Sequence, residues 1–197
     1  MKMAKKLLAV VLTGVMAVSM LTGCALSDKV KAEALENALN SDQVKTAAEV
    51  AGQTAEKETK YDYKKELNGV ANEAWGKEGD STSVFKGGKV NGFDTKVGSL
   101  QEYNKDATHK YFVYVVDVTK VKTSNKSEWT TRAVALRKAV TTKGFGTDAA
   151  KIKDYNADNT NKTAKFGIDF KSVTTTAGTT KTTTNYAIIV FEAGANA

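Results

Sequence analysis

The sequence predicts an α+β fold: N-terminal helices, then a small, mostly antiparallel sheet with one helix packed on it. Three observations predict it. Before residue 80 the apolar residues recur at helical spacing, three and four apart. Between Lys110 and Lys122 lies a run of aromatic and β-branched residues, and between Thr163 and Phe191 two further strand-like runs flank a threonine-rich stretch. Between these strand regions, Trp129, Ala133, Leu136 and Val140 mark one amphipathic helix.

The first 24 residues stand apart from that fold. Lys2, Lys5 and Lys6 are followed by an apolar or small-residue run from Leu7 to Met20, then by Leu21-Thr22-Gly23-Cys24. A basic start, a short apolar stretch and small residues before a cut are the parts of a secretory signal. The apolar run is shorter than the roughly 20 residues a membrane-spanning helix needs. Its closing tetrapeptide resembles the lipobox of bacterial lipoproteins, with Cys24 in the place of the lipidated cysteine. The resemblance covers the leader alone. It implies that residues 1–23 are removed, that Cys24 carries a thioether-linked diacylglycerol, and that the chain sits on the extracytoplasmic face of the membrane. Two acyl chains matter here, because a single one of myristoyl length holds a protein only marginally. Cys24 is also the only cysteine, so neither an internal disulfide nor a cysteine-based metal cluster is available.

Residues 24–60 are expected to form a helical or flexible spacer, and residues 61–197 the globular domain. In the spacer, Val30, Ala34, Leu35, Ala38 and Leu39 give one short helix, with Ser27 or Asp28 as its cap. Asn40-Ser41-Asp42 interrupts it and caps a second, through Val44, Ala47, Ala48 and Ala51. Large apolar residues are few, so little burial is expected. Proline is absent, which rules out a polyproline stalk.

Tyr63, Leu67, Val70, Ala71, Ala74 and Trp75 form a stripe on a helix from about Asp62 to Lys77, stopped by Gly76 or Gly79. Gly87-Gly88, between Val84-Phe85 and Val90, matches a two-residue hairpin loop. The Lys110–Lys122 run is apolar on both alternating faces, as in a strand covered on two sides. A helix follows from Glu128 to Val140, and a short one is expected from Thr147 to Tyr155. Thr163 to Thr174 alternates, with Ala164, Phe166, Ile168 and Phe170 on one face and Lys165, Gly167, Asp169 and Lys171 on the other. That pattern suits a strand with one wet face. The threonines between it and Tyr186 form a hairpin projecting past the sheet and turning at Ala177-Gly178, with either a two- or a three-residue loop; they read as a solvated tip or, as the alternative, a flat recognition surface.

The formal charge of +7 falls to +4 once Lys2, Lys5 and Lys6 leave with the leader. The remainder is split. Residues 24–80 hold 8 Lys against 12 Asp and Glu, which is −4, while residues 81–197 hold 18 Lys and Arg against 10 Asp and Glu, which is +8. Such asymmetry points either to mutual packing of the halves or to a polyanionic partner. Lys120, Lys122, Lys138 and Lys143, at the ends of the main strand and of the helix after it, are the candidate polyanion-binding residues. Nucleic acid is not expected as the partner, since Arg132 and Arg137 are the only arginines and no nucleic-acid motif is present.

Signs of catalysis are sparse. There is no Gly-x-Ser-x-Gly elbow, no His-Glu-x-x-His pair and no phosphate loop. Asp154, Asn156 and Asp158 resemble the start of an EF-hand-type calcium loop, but Lys162 and Lys165 occupy its ninth and twelfth positions, where oxygen ligands belong. No catalytic residue, resident metal or cofactor is therefore expected beyond the lipid on Cys24. The expected function is a membrane-anchored, non-catalytic binding module for an anionic envelope polymer or a surface protein. A second reading is a small extracytoplasmic hydrolase using carboxylates around Asp117 or Asp169, with His109.

Overall fold

A computed structural model describes residues 28–50, 59–121, 126–144, 151–154 and 163–194. Two short helices open it, α1 (Asp28–Leu39) and α2 (Asp42–Val50). Strand β1 (Lys60–Tyr63), helix α3 (Asn68–Trp75) and the single helical turn α4 (Phe93–Lys96) follow. Then come β2 (Leu100–Asn104), β3 (Lys110–Asp117), α5 (Lys126–Ala139) and the long strands β4 (Thr163–Ala177) and β5 (Thr180–Glu192). The strands make one five-stranded sheet in the order β1-β4-β5-β3-β2. Only the β1–β4 pair is parallel. This is the expected α+β class, with the sheet mostly antiparallel.

Period-two alternation gives the sheet two apolar faces, and each is covered. Tyr61, Phe112, Tyr114, Phe166, Ile168, Ile189 and Phe191 face Ala32, Leu35, Leu39 and Val44 of α1 and α2 and Trp129, Ala133 and Leu136 of α5. Val113, Val115, Ile188 and Val190 face Val70, Ala71, Ala74 and Trp75 of α3, together with Phe85. Trp75 thus belongs to the core, in contact with the rings of Phe85, Phe93 and Tyr186.

The structure differs from the sequence reading at residues 24–60. In place of a spacer, α1 and α2 lie on the sheet, with Ala32, Leu39 and Val44 wholly buried and Leu35 nearly so. Polar contacts fix the direction of α1. Lys31 places its ammonium 4.6 Å from the Phe170 ring centre. Glu36 accepts from Tyr63 N at 3.1 Å, and the Asn40 amide brackets Tyr61, accepting from its N–H at 2.9 Å and donating to its carbonyl at 2.7 Å. Tyr63 pairs with Phe166 and Tyr61 with Ala164. As α1 advances, β4 is met at successively earlier residues, so α1 runs antiparallel to β4. Ser41 caps α2 as expected, accepting from Val44 N at 3.3 Å.

Other departures have local causes. Lys60–Tyr63 is a strand instead of the start of a helix, because its tyrosines pair beside β4; four residues are too few to display a period. The helix then begins at Asn68, after a tight turn at Lys65–Leu67. Gly87-Gly88 is not a hairpin loop. With Lys86, both glycines take positive φ (47°, 66° and 80°), forming a left-handed turn after buried Phe85. The second face of β4 is not wet throughout: a Cβ on Gly167 would stand 2.5 Å from Leu67 C and Cβ, so glycine lets the Lys65–Leu67 turn lie directly on the strand. Of the helix expected over residues 147–155, only 151–154 are described, and there Ile152 is buried and bridges to Ala193.

Beyond the row Asp117–Tyr186–Lys171, β4 and β5 continue as a two-stranded arm from Ser172↔Asn185 to Ala177↔Thr180. Its turn is Gly178-Thr179, one residue later than expected, with Gly178 at φ 61° in the first central position, where type II′ hairpins place glycine. The residues from Thr174 to Thr183 are all exposed.

Candidate functional site

The carboxylates considered for hydrolysis share one face of the sheet but do not converge. Asp117 ends β3, where its Oδ1 accepts from Thr119 N at 2.8 Å and its carbonyl accepts from Arg132 Nε at 2.9 Å. Asp169, on β4, pairs with Lys171 at 2.8 Å and accepts from Phe170 N at 2.9 Å. Strand β5 separates the two and Asp169 is two residues out of the Asp117 row, so they stand about 12 Å apart at the usual strand spacing and rise. His109 lies at the other end of β3, about 26 Å from Asp117 along the strand. Its ring nitrogen contacts Asp106 Oδ2 at 2.8 Å. The Asp106 carboxyl is held well below the usual carboxylate range, first by the Thr108 N–H and hydroxyl and then by His109. The Thr108 hydroxyl lies 3.0 Å from His109 Nδ1 and donates to Asp106 Oδ1 at 2.8 Å, so these three side chains form an exposed turn that satisfies its own polar groups.

The calcium-like loop is described only at Asp154. That residue takes φ 64°, and its carboxylate is engaged by Lys165 Nζ at 2.6 Å. The lysine in the twelfth position therefore does more than withhold an oxygen: its ammonium holds the first ligand. Asn156 and Asp158 lie outside the described residues, as does Cys24. Among the described residues no group of three or more His, Cys, Asp or Glu side chains could hold a metal ion.

No family model, curated protein or solved structure matches the chain. Its site must be argued from its own geometry.

Among the candidate lysines, Lys120 and Lys138 are described, both exposed and neither in an ion pair among the described residues. They lie toward opposite ends of the sheet. Lys120 follows β3 at the base of the arm, where Val118 N donates to Asn185 O at 2.8 Å and Asn185 N to Thr119 Oγ1 at 2.8 Å. Lys138 follows Arg137, whose guanidinium reaches Leu39 at the far end of α1. Lys122 and the Lys143 side chain lie outside the described residues. The two described candidate lysines are thus separate cations and do not form one patch.

Sequence reasoning missed an open depression of about 630 Å³ at the end of α3, lined among others by Asn72, Glu73, Asp80, Thr82, Tyr103 and Lys105. Glu73 pairs with Lys105 at 2.8 Å and raises its pKa. Asp80 accepts from the Thr82 hydroxyl and N–H, which lower its pKa. Burial, and then Glu73, push the Tyr103 phenol up. Asp117, Asp169 and His109 do not line it. Nothing in the sequence signals this place, because its residues come from α3, the loop after it and β2.

Charge pairing carries more information. Asp28, Glu33, Asp42 and Asp62 pair with Lys31, Lys29, Lys45 and Lys64. These four acids of the N-terminal part are therefore met by its own lysines. Among the described residues, Lys105–Glu73 is the one ion pair that joins residues 24–80 to residues 81–197.

Proposed function

We propose that this chain is a lipid-anchored, non-catalytic binding module of the extracytoplasmic face that holds anionic polymer of the cell envelope. The observation that carries the reading is the local pairing just described. Had the two halves been matched electrostatically, the acids of α1 and α2 would neutralise the later lysines; Asp28, Glu33 and Asp42 pair with their own neighbours instead. The excess of +8 in residues 81–197 is left to face a partner, with Lys120 and Lys138 as exposed cations. Dispersed carboxylates, each tied to a lysine or a turn, support binding over hydrolysis. No helix among the described residues is long and apolar enough to cross a membrane; attachment is assigned to Cys24 on the resemblance of Leu21-Thr22-Gly23-Cys24 to a lipobox.

Two results are expected. Cys24→Ala moves the protein out of the membrane fraction or leaves it as unprocessed precursor; normal processing and membrane retention of that variant would sink the anchor. Retention of the protein on an immobilised anionic wall polymer falls steeply with salt, as screening shortens the reach of each charge. Reversing Lys120, Lys122, Lys138 and Lys143 to Glu together abolishes that retention. Because Lys120 and Lys138 stand apart, reversing either alone weakens it by a similar, additive step. Salt-insensitive retention, or retention unchanged by the fourfold reversal, counts against the basic surface.

A further inference from the structure

The direction of α1 decides which end of the molecule meets the membrane. Lys31 lies over Phe170, while Asn40 lies at Tyr61 beside Ala164. The N-terminus of α1 therefore points the way β4 runs, toward the arm. Asp28 stands one helical turn before Lys31, about 4.5 Å along the axis. Cys24 is four residues further, at most about 14 Å of extended chain. Measured from Phe170, an anchor at Cys24 thus reaches at most about 18 Å in the direction of the arm. Gly178, at the arm's tip, is eight residues beyond Phe170, about 26 Å away at strand rise. The arm reaches at least as far as the anchor can.

We propose that the β4–β5 arm is a membrane-docking element, its tip and Lys181 resting in the anionic lipid head-group layer of the bilayer that holds the lipid on Cys24. The proposal rests on reading Cys24 as the anchor and names the lipid as one anionic partner of this surface. Its chemistry fits. From Phe170 to Phe191 there is no acidic residue, and eight threonines lie between Val173 and Asn185. Their hydroxyls can donate to phosphate and ester oxygens. Exposed Lys181 near the tip and exposed Lys120 at the base supply positive charge. No large apolar side chain lies beyond Val173 in the arm, so it sits among head groups and does not enter the acyl region. The nearest carboxylates, Asp117 and Asp169, stay at the base, engaged by Thr119 N and Lys171. The β2–β3 turn then faces away from the membrane, as does Lys138.

The test uses the chain from Cys24 on, which contains every described element. Its single thiol is coupled to a maleimide lipid in vesicles of phosphatidylcholine and phosphatidylglycerol. Lysines are labelled with a membrane-impermeant acylating reagent and read by mass spectrometry, against the same protein free in solution. Lys181 is expected to lose reactivity by about fivefold, the change that corresponds to roughly 1 kcal/mol of head-group attraction per basic residue. Lys120 loses a smaller share, and Lys105 and Lys153, at the opposite end, keep their solution reactivity. Unchanged reactivity at Lys181 overturns the proposal, and so does protection spread equally over all four. Equal protection on pure phosphatidylcholine overturns it as well, because an anionic head-group layer is then not what holds the arm. Chemical coupling supplies the anchor whatever the cell does, so failure here is distinct from failure of the lipid reading, which the Cys24→Ala fractionation decides.

Discussion

A chain beginning at Lys60 is expected to lose cooperative thermal unfolding, whereas one beginning at Ala25 keeps the transition of the full mature chain. The shorter chain lacks Ala32, Leu35, Leu39 and Val44, all between 0 and 2% exposed. Each of the two leucines and the valine is worth about 1.5–3 kcal/mol of burial. Together they amount to a large part of the roughly 5–15 kcal/mol that stabilises a domain. The truncation also uncovers the sheet face that holds Phe166, Ile168 and Phe191, and it removes the Asn40 amide that satisfies both backbone groups of Tyr61. Circular dichroism should show a broad, shallow melt, with dye binding at the exposed face. A sharp transition near that of the mature chain would return α1 and α2 to the role of a spacer.

That expectation reverses what composition alone suggested, and the reason is physical. Alanine-rich helices bury little area per residue, which makes them look dispensable. Yet small residues let a helix approach a sheet closely, and three larger ones in register are enough to seal it. Elements with a long, sustained period were legible: the β3 run, apolar on both faces, is buried on both faces at Phe112 and Val113. Short elements were not. Strands β1 and β2, four and five residues long, are strands because of what lies beside them, and pairing across the fold leaves no local trace. The same holds for the surface. The lysine excess and the projecting threonines could be read from the sequence, but not which cations share an end of the sheet with the N-terminus of α1. That depends on the direction of α1, which is set by Lys31, Glu36 and Asn40 meeting β4 and β1.

Arg137→Ala is the point substitution expected to cost most. From the sequence, Arg137 is a last-turn cation suited to the negative end of its own helix. In the structure it is wholly buried and serves another helix: Nη1 donates to Leu39 O at 3.0 Å, at the C-terminus of α1, and the guanidinium lies 5.2 Å from the Tyr61 ring centre. It thereby joins α5, α1 and β1 at one point, satisfying a carbonyl that α1 leaves unpaired at its end. Alanine removes the donor, the cation–π contact and the packed stem together, for an expected loss of about 3–5 kcal/mol. Methionine fills much of the stem's volume and avoids burying a charge, so it should cost less than alanine while still leaving the Leu39 carbonyl without this donor, a penalty of about 1–3 kcal/mol. Lysine keeps the charge but not the planar fork, and a buried ammonium is the more strongly hydrated ion, so it should not rescue fully. Urea unfolding of the three variants, with m unchanged, gives the order Ala, then Lys or Met. A loss below about 1 kcal/mol for alanine would mean that the α1–α5 contact is held by its apolar residues alone.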